Sequence, residues 1–246
     1  MAAGDPIVFT LPGFPCKSPN PAKVPGHLPD EGERLSLAFL DELCARIGWI
    51  YPPGARILIC SDGHIFGDLI NVPDEHIDEH SDELTAMIER EGLRHLATFD
   101  LRAVLGDPPY DEKRARVHEW YAPSVEQLRE QVVTEEETLR LYRGITHFLT
   151  EDTVGFPGTK SALQRECRRR AYEVIQRSCA WGELIAEQHP RSARLSIHPQ
   201  PAGVLKFGIR LLPADDAWMT PRHSAVLHRP DGRRELRLNE EAARLG

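Results

Sequence analysis

The stretch Pro52-Pro53-Gly54-Ala55-Arg56-Ile57-Leu58-Ile59-Cys60-Ser61-Asp62-Gly63 carries the clearest indication of the fold. Its centre, residues 56–60, is a short apolar run between two turn-forming segments, a pattern typical of a strand that is buried on both faces. Such strands belong to parallel sheets covered by helices, and these sheets bind ligands beyond the carboxyl ends of their strands. Ser61 and Asp62 are therefore predicted to lie at a binding site.

Strands and helices alternate along the chain on both sides of this stretch. Apolar runs and helical periodicity, together with a capping-box pattern at Thr134-Glu-Glu-Glu137, predict strands at 7–11, 56–60 and 94–99 and helices at 33–47, 79–91, 134–150 and 160–188. The six prolines between residues 12 and 29 predict a loop, because each ring removes an amide donor and fixes φ. This order predicts βαβ units, and so an α/β fold with a largely parallel sheet flanked by helices.

The end of the chain has a different pattern. A strand is predicted at 194–198, apolar and polar residues alternate over 205–211, and a hairpin is predicted around Pro230-Asp231-Gly232. We expect a more antiparallel β region here. Without a repeat or a linker, the interpretation for residues 1–246 is one α/β domain.

Composition excludes several classes of protein. The 246 residues contain 30 Lys and Arg against 38 Asp and Glu, a net charge of −8, which argues against broad contact with nucleic acid or an anionic membrane. A membrane-spanning run and a signal peptide are both missing from the sequence, so we expect a cytoplasmic protein. The five scattered cysteines indicate neither a disulfide framework nor a cysteine zinc site.

Two segments are candidate anion receptors. Lys17-Ser18-Pro19-Asn20, with Lys23, places two ammonium groups and two neutral hydrogen-bonding side chains on a loop that prolines stiffen. The alternative is a solvent loop with incidental lysines. The run from Gly155 to Lys160 opens a helix, so its amides and Lys160 are a weaker candidate, against a plain connector.

The predicted strand at 194–198 carries a further candidate site. Strand alternation places Arg194, Ser196 and His198 on one face, and Leu195 and Ile197 on the other. The three polar side chains form either a site or the wet side of an edge strand.

The motif His76-Ile-Asp-Glu79-His80 matches a zinc-protease signature. The spacing puts both imidazoles on one helical face. An acidic, solvated helix surface is the simpler interpretation of the segment, so zinc-dependent hydrolysis is the alternative hypothesis.

Four blocks together resemble the isocyanide (isonitrile) synthase family, which is also named for pyoverdine and dityrosine biosynthesis. They are LPGFPCKSPNPAKVPGHLPDEGE at 11–33, YPPGARILICSDGHIFGD at 51–68, AYEVIQRSCAW at 171–181 and RLSIHPQP at 194–201. Their order matches the family over roughly residues 8–223, and four ordered blocks are more specific than any single motif.

The resemblance implies a Rossmann-like core and an enzyme that makes an isocyanide. In such a reaction the α-amino group of an L-amino acid, commonly Tyr or Trp, becomes the isocyanide nitrogen, and ribulose 5-phosphate supplies the carbon. The family implies no metal and no organic redox cofactor, and a downstream tailoring oxygenase is an expected partner in secondary-metabolite biosynthesis.

This chemistry needs an anion receptor, a carboxylate clamp and proton-transfer groups. Lys17, Ser18, Asn20 and Lys23 are assigned to the sugar phosphate and Arg194 to the carboxylate, although the reverse assignment satisfies the sequence equally well. His198 is the first choice for proton transfer because its unperturbed pKa is near neutral, and Asp62 is the second. The predicted catalytic residues are His198, Asp62 and Lys17, and the predicted substrate-binding residues are Ser18, Asn20, Lys23, Ser61, Lys160, Arg194, Ser196, Gln200 and His223.

Two departures from the family affect the substrate. The family pattern W-x-T-P-W-H is here Trp218-Met-Thr220-Pro221-Arg222-His223, with Arg222 in place of the second Trp. The chain also begins about ten residues before the first block, so we expect it to lack the family's common N-terminal extension. A shortened, non-catalytic relative that binds amino acids is a third hypothesis.

Overall fold

A five-stranded sheet, parallel throughout, forms the centre of the protein in a computed structural model that describes residues 4–198, 206–216 and 218–245. The strands lie in the order β3-β2-β1-β4-β5. Their bounds are Ile7–Pro12 for β1, Ala55–Cys60 for β2, Leu96–Phe99 for β3, Ala193–Ser196 for β4 and Phe207–Gly208 for β5. The predicted α/β fold is confirmed.

Helices cover the sheet, and their order confirms the predicted alternation. They are α1 (Glu31–Ile50), α2 (Gly63–Phe66), α3 (Asp74–Arg90), α4 (Leu101–Leu105), α5 (Tyr110–Tyr121), α6 (Val125–Thr134), α7 (Glu136–Asp152), α8 (Lys160–Gln188) and α9 (Asn239–Leu245). The predicted bounds of α8 are correct, whereas α4, α5 and α6 lie in a region for which the sequence patterns predicted no element.

Strand β2 is buried on both faces, as its apolar run predicted. Ile57 and Ile59 belong to a core with residues of α1 and α3, such as Leu37 and Leu84. Leu58 and Cys60 face the other core, which includes much of α8. Successive side chains thus point to opposite faces of the sheet, and both faces are covered.

A capping box opens α1, whereas the one predicted at Thr134 does not form. Asp30 caps α1 in a capping box with Glu33. The box predicted at Thr134 is wrong, because the Thr134 hydroxyl donates to the Glu130 carbonyl within α6 and α7 begins after Glu135. The two helices almost abut, so the capping pattern falls on the last turn of the first.

The C-terminal region contains the expected antiparallel structure as a small two-stranded sheet. Strands β6 (Ala225–His228) and β7 (Arg234–Arg237) form the predicted hairpin as a separate antiparallel sheet. The alternating run at 205–211 shows only the two-residue β5 in its described part, and β5 pairs parallel to β4. Within the described residues, none of the helices has the length and apolar character that a bilayer crossing demands.

Candidate active site

A cavity of about 200 Å³ opens at the carboxyl ends of β1, β2 and β4. The segment that follows β1, Asp62 after β2, and the end of β4 supply one wall, while α7, α8 and the segment before β6 supply the rest. Among its lining residues are Pro12–Cys16, Asp62, Ile145, Phe148, Cys179, Glu183, Arg194, Ser196, His198, Lys206, Trp218, Thr220, Arg222 and His223. The Pro-rich segment and the Arg/Ser/His strand therefore border the same cavity.

Arg194 presents unsatisfied donors at this cavity. Its Nε and Nη2 atoms are buried and have no hydrogen-bond partner among the described residues. Helix α8 leaves space for the guanidinium at Gly182, where an added Cβ would lie 3.3 Å from Nη2. A buried guanidinium without an acceptor is costly, and an anionic ligand would supply that acceptor.

Lys206 is a second cation at the cavity, and the sequence analysis did not select it. Burial and, to a smaller extent, the positive charge of Arg194 together lower the pKa of Lys206 to about 8. The available signal was its polar position in the alternating run Leu205-Lys206-Phe207-Gly208. Two cations that lie close together favour the binding of an anion.

Asp62 follows β2 directly, as predicted, and lies at the cavity. Burial raises the pKa of this carboxyl to about 7, against the opposing charges of Arg222 and Lys206. Its Oδ1 atom is buried without a hydrogen-bond partner in the described part of the chain. A carboxyl with this pKa can both accept and release a proton near neutral pH.

His198 lies at the cavity with its ring stacked on Trp218, at a centroid distance of 5.3 Å and an interplanar angle of 19°. Burial lowers its pKa to about 3, with contributions from His223 and Arg222. This differs from the near-neutral pKa on which its selection was based, and the imidazole is neutral at physiological pH. The Ser196 hydroxyl donates to the carbonyl of His198 at 2.7 Å.

Lys17 is not among the residues that line the cavity, although Glu33 and Pro221, which its ammonium contacts, both are. Its Nζ donates to the Pro221 carbonyl at 2.8 Å and lies 2.9 Å from Asp30 and 2.6 Å from Glu33. The Lys17 side chain is 0% exposed. An ammonium has three donors, and protein oxygens occupy all three, so the geometry gives Lys17 a role in joining α1 to the segment before β6.

The other polar side chains of this loop are also engaged with protein groups. The Ser18 hydroxyl donates to Asp152 at 2.8 Å, the Lys23 ammonium contacts Asp152 and Glu151 at 2.8 Å each, and the Asn20 amide donates to the Glu151 carbonyl at 2.8 Å. These contacts join the loop to the end of α7. None of the three residues is among those that line the cavity.

The remaining predicted residues are divided between the cavity and other places. Ser61 donates to the Phe14 carbonyl at 3.0 Å and does not line the cavity. Lys160 is exposed at the start of α8, roughly 20 Å along the helix axis from the cavity residue Val174 at 1.5 Å per residue. His223 lines the cavity, and Gln200 lies outside the described residues.

Arg222 occupies the position at which the sequence departs from the family pattern. Its Nη1 donates to the carbonyl oxygen and Sγ of Cys16, at 3.1 and 2.8 Å, and Nη2 lies 3.6 Å from Asp152. Burial would raise the pKa of Asp152, but His223, Arg222 and Lys23 hold it below its ordinary value. Arg222 thus fixes the segment after β1 that borders the cavity.

The zinc motif does not converge on a common point. His76 and Glu79 are exposed whereas His80 is buried. The ring of His76 stacks on the ring of His27, with centroids 4.3 Å apart, and the Glu79 carboxylate lies 2.6 Å from Nε2 of His27. Across residues 4–198, 206–216 and 218–245, three or more metal-ligating side chains nowhere form a group that could hold an ion. The geometry therefore gives no support to zinc-dependent hydrolysis.

Comparison of the sequence with known proteins identifies relatives of this chain. The family model described as pyoverdine/dityrosine biosynthesis protein matches residues 1–244. The L-tyrosine isonitrile synthase of Pseudomonas aeruginosa is 48% identical over 252 residues, covering 100% of this chain and 76% of the relative. The L-tryptophan isonitrile synthase AmbI2 of Fischerella ambigua is 41% identical, covering 91% of this chain and 68% of the relative.

A solved structure agrees with the sequence comparison. The crystal structure of the PvcA protein from Pseudomonas aeruginosa superposes with a TM-score of 0.93 at 49% identity, covering 99% of this chain and 80% of that one. Sequence and fold therefore match over nearly the whole chain. On both grounds, the chain belongs to the pyoverdine/dityrosine biosynthesis protein family, which includes the isonitrile synthases.

Proposed function

We propose that this protein is an isonitrile synthase that converts the α-amino group of L-tyrosine or L-tryptophan to an isonitrile, with ribulose 5-phosphate as the carbon donor. The relatives named for tyrosine and tryptophan support the substrate class. The carbon donor comes from the resemblance of the four sequence blocks to the family.

One observation carries the proposal: a single cavity holds Arg194, Lys206 and Asp62 beside an apolar wall. The two cations suit two anionic substrates, an amino acid with a carboxylate and a sugar with a phosphate. The wall contains aromatic and aliphatic side chains of α7 and α8, such as Ile145, Phe148 and Val174. Such a surface favours a large apolar amino-acid side chain.

The roles follow from the protonation states. The substrate amine must lose a proton before it attacks the sugar ketone, and Asp62 with a pKa of about 7 is a base of suitable strength. Arg194 holds the carboxylate of the amino acid, and Lys206 supplies positive charge for the sugar phosphate. Attack and loss of water give an imine, and later C–C cleavages leave one sugar carbon on nitrogen.

The neutral imidazole of His198 is the second proton-transfer group. With a pKa of about 3 it is neutral at working pH and is suited to relay a proton rather than to store one. We assign Lys17, Ser18, Asn20 and Lys23 to the support of the cavity wall, because their polar groups already contact protein oxygens and carboxylates.

Incubation with labelled substrate tests the proposal. Purified protein is mixed with single L-amino acids and ribulose 5-phosphate carrying 13C at C2, and products are analysed for a labelled isonitrile carbon. We expect label with tyrosine or tryptophan. Amino-acid binding without any isonitrile would support the non-catalytic relative, and an unlabelled isonitrile would refute the carbon donor.

A further inference from the structure

Helix α7 has a glycine where it meets the indole of Trp218. A Cβ added at Gly144 would lie 2.2 Å from Cζ2, 2.4 Å from Cε2 and 2.9 Å from Cη2 of that side chain. Contacts this short do not occur between non-bonded atoms, so any other residue at position 144 displaces the indole. The Trp218 ring thus packs directly against the backbone of α7 at Gly144.

Glycine at this position has a cost for the helix. In a helix interior it is less favourable than alanine by about 0.5–1 kcal/mol. Gly144 lies in the middle of the 17-residue α7, away from both ends, where a cap could have required glycine. The close approach of Trp218 is the packing feature that accounts for it.

Trp218 extends from this contact with Gly144 to the cavity. Its ring stacks on the imidazole of His198, with centroids 5.3 Å apart and planes 19° from parallel. Both side chains line the cavity, and so do Ile145 and Phe148 on the same helix as Gly144. The backbone N–H of Trp218 donates to the carboxylate of Asp216 at 2.8 Å, which fixes the start of the side chain.

We propose that Trp218, which packs against Gly144, is a positioning residue that holds the His198 imidazole in the orientation needed for proton transfer in the cavity. The proposal rests on the proposed function, because it assumes that His198 moves a proton during isonitrile formation. It adds a residue of α7 that lies behind the cavity wall, and it gives the indole a role through another side chain rather than through the substrate.

The stacking geometry makes rotation of the imidazole the expected consequence of a larger residue at position 144. A displaced indole no longer fixes the ring plane of His198. Misplacement of a reacting group by about 1 Å can cost a factor of about 100 in rate. The loss is expected in kcat, because the group that loses its orientation is the imidazole that transfers a proton and not a cation that binds substrate.

The test uses Gly144→Ala with a matched control, Gly48→Ala. Gly48 also lies inside a helix, α1, but an added Cβ there meets nothing within 4 Å. We expect Gly144→Ala to lower kcat for isonitrile formation at least tenfold with KM values within about threefold, and Gly48→Ala to leave both parameters unchanged. Full activity of Gly144→Ala would overturn the proposal.

Rescue separates positioning from general damage to the fold. Phenylalanine is shorter than tryptophan, so Trp218→Phe is expected to relieve the contact with an alanine at 144 while keeping an aromatic ring beside His198. The double variant Gly144→Ala with Trp218→Phe should recover at least half of the activity of Trp218→Phe alone. No recovery, with thermal unfolding unchanged, would contradict the proposal.

A third comparison ties the effect to His198. If Trp218 acts through the imidazole, Gly144→Ala should lower kcat by less than twofold in a His198→Ala background. A tenfold loss in both backgrounds would show that the indole acts by another route. Failure of the wild-type protein to form any isonitrile would refute the proposed function itself, whereas an active wild type with an unaffected Gly144→Ala would refute the positioning role alone.

Discussion

At the scale of single residues, burial acts in opposite directions on the acids and bases of the cavity. It raises the pKa of Asp62 to about 7 and lowers the pKa values of His198 and Lys206 to about 3 and about 8. The cause is the same in each case, because a buried site favours the neutral form. The cavity lining therefore includes both a carboxyl that exchanges protons near neutral pH and a neutral imidazole.

Substitution of Asp62 is expected to change the pH profile of the reaction. If the carboxylate form is the base, kcat/KM of the wild type rises with pH and levels off above about 7, the pKa that burial gives this group. Asp62→Asn should lower kcat/KM about 100-fold or more and remove this limb. Initial rates from pH 5.5 to 8.5 measure both, with Asp107→Asn at an exposed position as control. An unchanged limb in Asp62→Asn would assign the titration to another group.

Substitution of Arg194 tests which substrate the guanidinium holds. Hydrogen bonds to a charged group contribute about 1.5–3 kcal/mol, which corresponds to roughly a 10- to 100-fold change in affinity. Arg194→Met should raise KM for the amino acid by that factor and KM for ribulose 5-phosphate by much less. Arg56→Met, at an exposed position of β2, is the control. A larger effect on the sugar phosphate would reverse the two assignments.

At the scale of elements, the loop between β1 and α1 is fixed by charges that come from distant parts of the chain. Lys17 contacts Asp30 and Glu33 at the start of α1, and Lys23 contacts Asp152 at the end of α7. Both ammonium groups are almost fully buried. Buried charges of this kind must be paired, so the loop forms part of the structure that shapes the cavity.

Loss of the Lys17 charge is therefore expected to lower stability. Lys17→Met leaves Glu33 and Asp30 without their partner, and breaking a buried pair costs about 3–5 kcal/mol. Chemical unfolding should show that loss, and Lys160→Met, at an exposed position, should change the free energy of unfolding by less than about 0.5 kcal/mol. A stable Lys17→Met variant with a raised KM for ribulose 5-phosphate would instead support a phosphate receptor at this loop.

The sequence predicts those elements whose pattern is local. Residues 56–60 and 160–188 carry clear periodicity or apolar runs, and β2 and α8 match them closely. The helices between residues 101 and 134 are only 5, 12 and 10 residues long, and α5 buries only Lys113, Arg114 and Val117. Their sequence patterns are therefore too short or too polar to stand out. Tertiary contacts determine elements of this kind.

The candidate site was predictable where it depends on strand ends. Asp62 and Arg194 follow or belong to parallel strands, and the position of such residues at the sheet edge can be inferred from sequence. The partners of Lys17 and Ser18 cannot, because Ser18 meets Asp152 across 134 residues. A count of lysines in a loop shows neither their burial nor their ion pairs.

At the scale of the whole molecule, buried titratable groups make stability depend on pH in two opposing ways. Burial lowers the pKa of His80 to about 3, so between about pH 6.5 and pH 3 the unfolded chain binds a proton there that the folded chain does not. The free energy of unfolding therefore decreases as the pH is lowered through this window. Burial raises the pKa values of Asp62 and Glu33 to about 7. Their contribution has the opposite sign, because it is present at low pH and is lost as pH rises toward 7.

A comparison between two variants isolates the contribution of His80. His80 is 1% exposed, and each group of this kind changes the free energy of unfolding by up to about 1.4 kcal/mol per pH unit. Relative to the wild type, His80→Leu should therefore gain about that much per unit as pH falls from 6 to 4, as measured by urea unfolding at each pH. For His118→Leu, at an exposed position, the difference from the wild type should stay constant. Parallel curves for His80→Leu and the wild type would show that His80 is protonated as easily in the folded protein as in the unfolded chain.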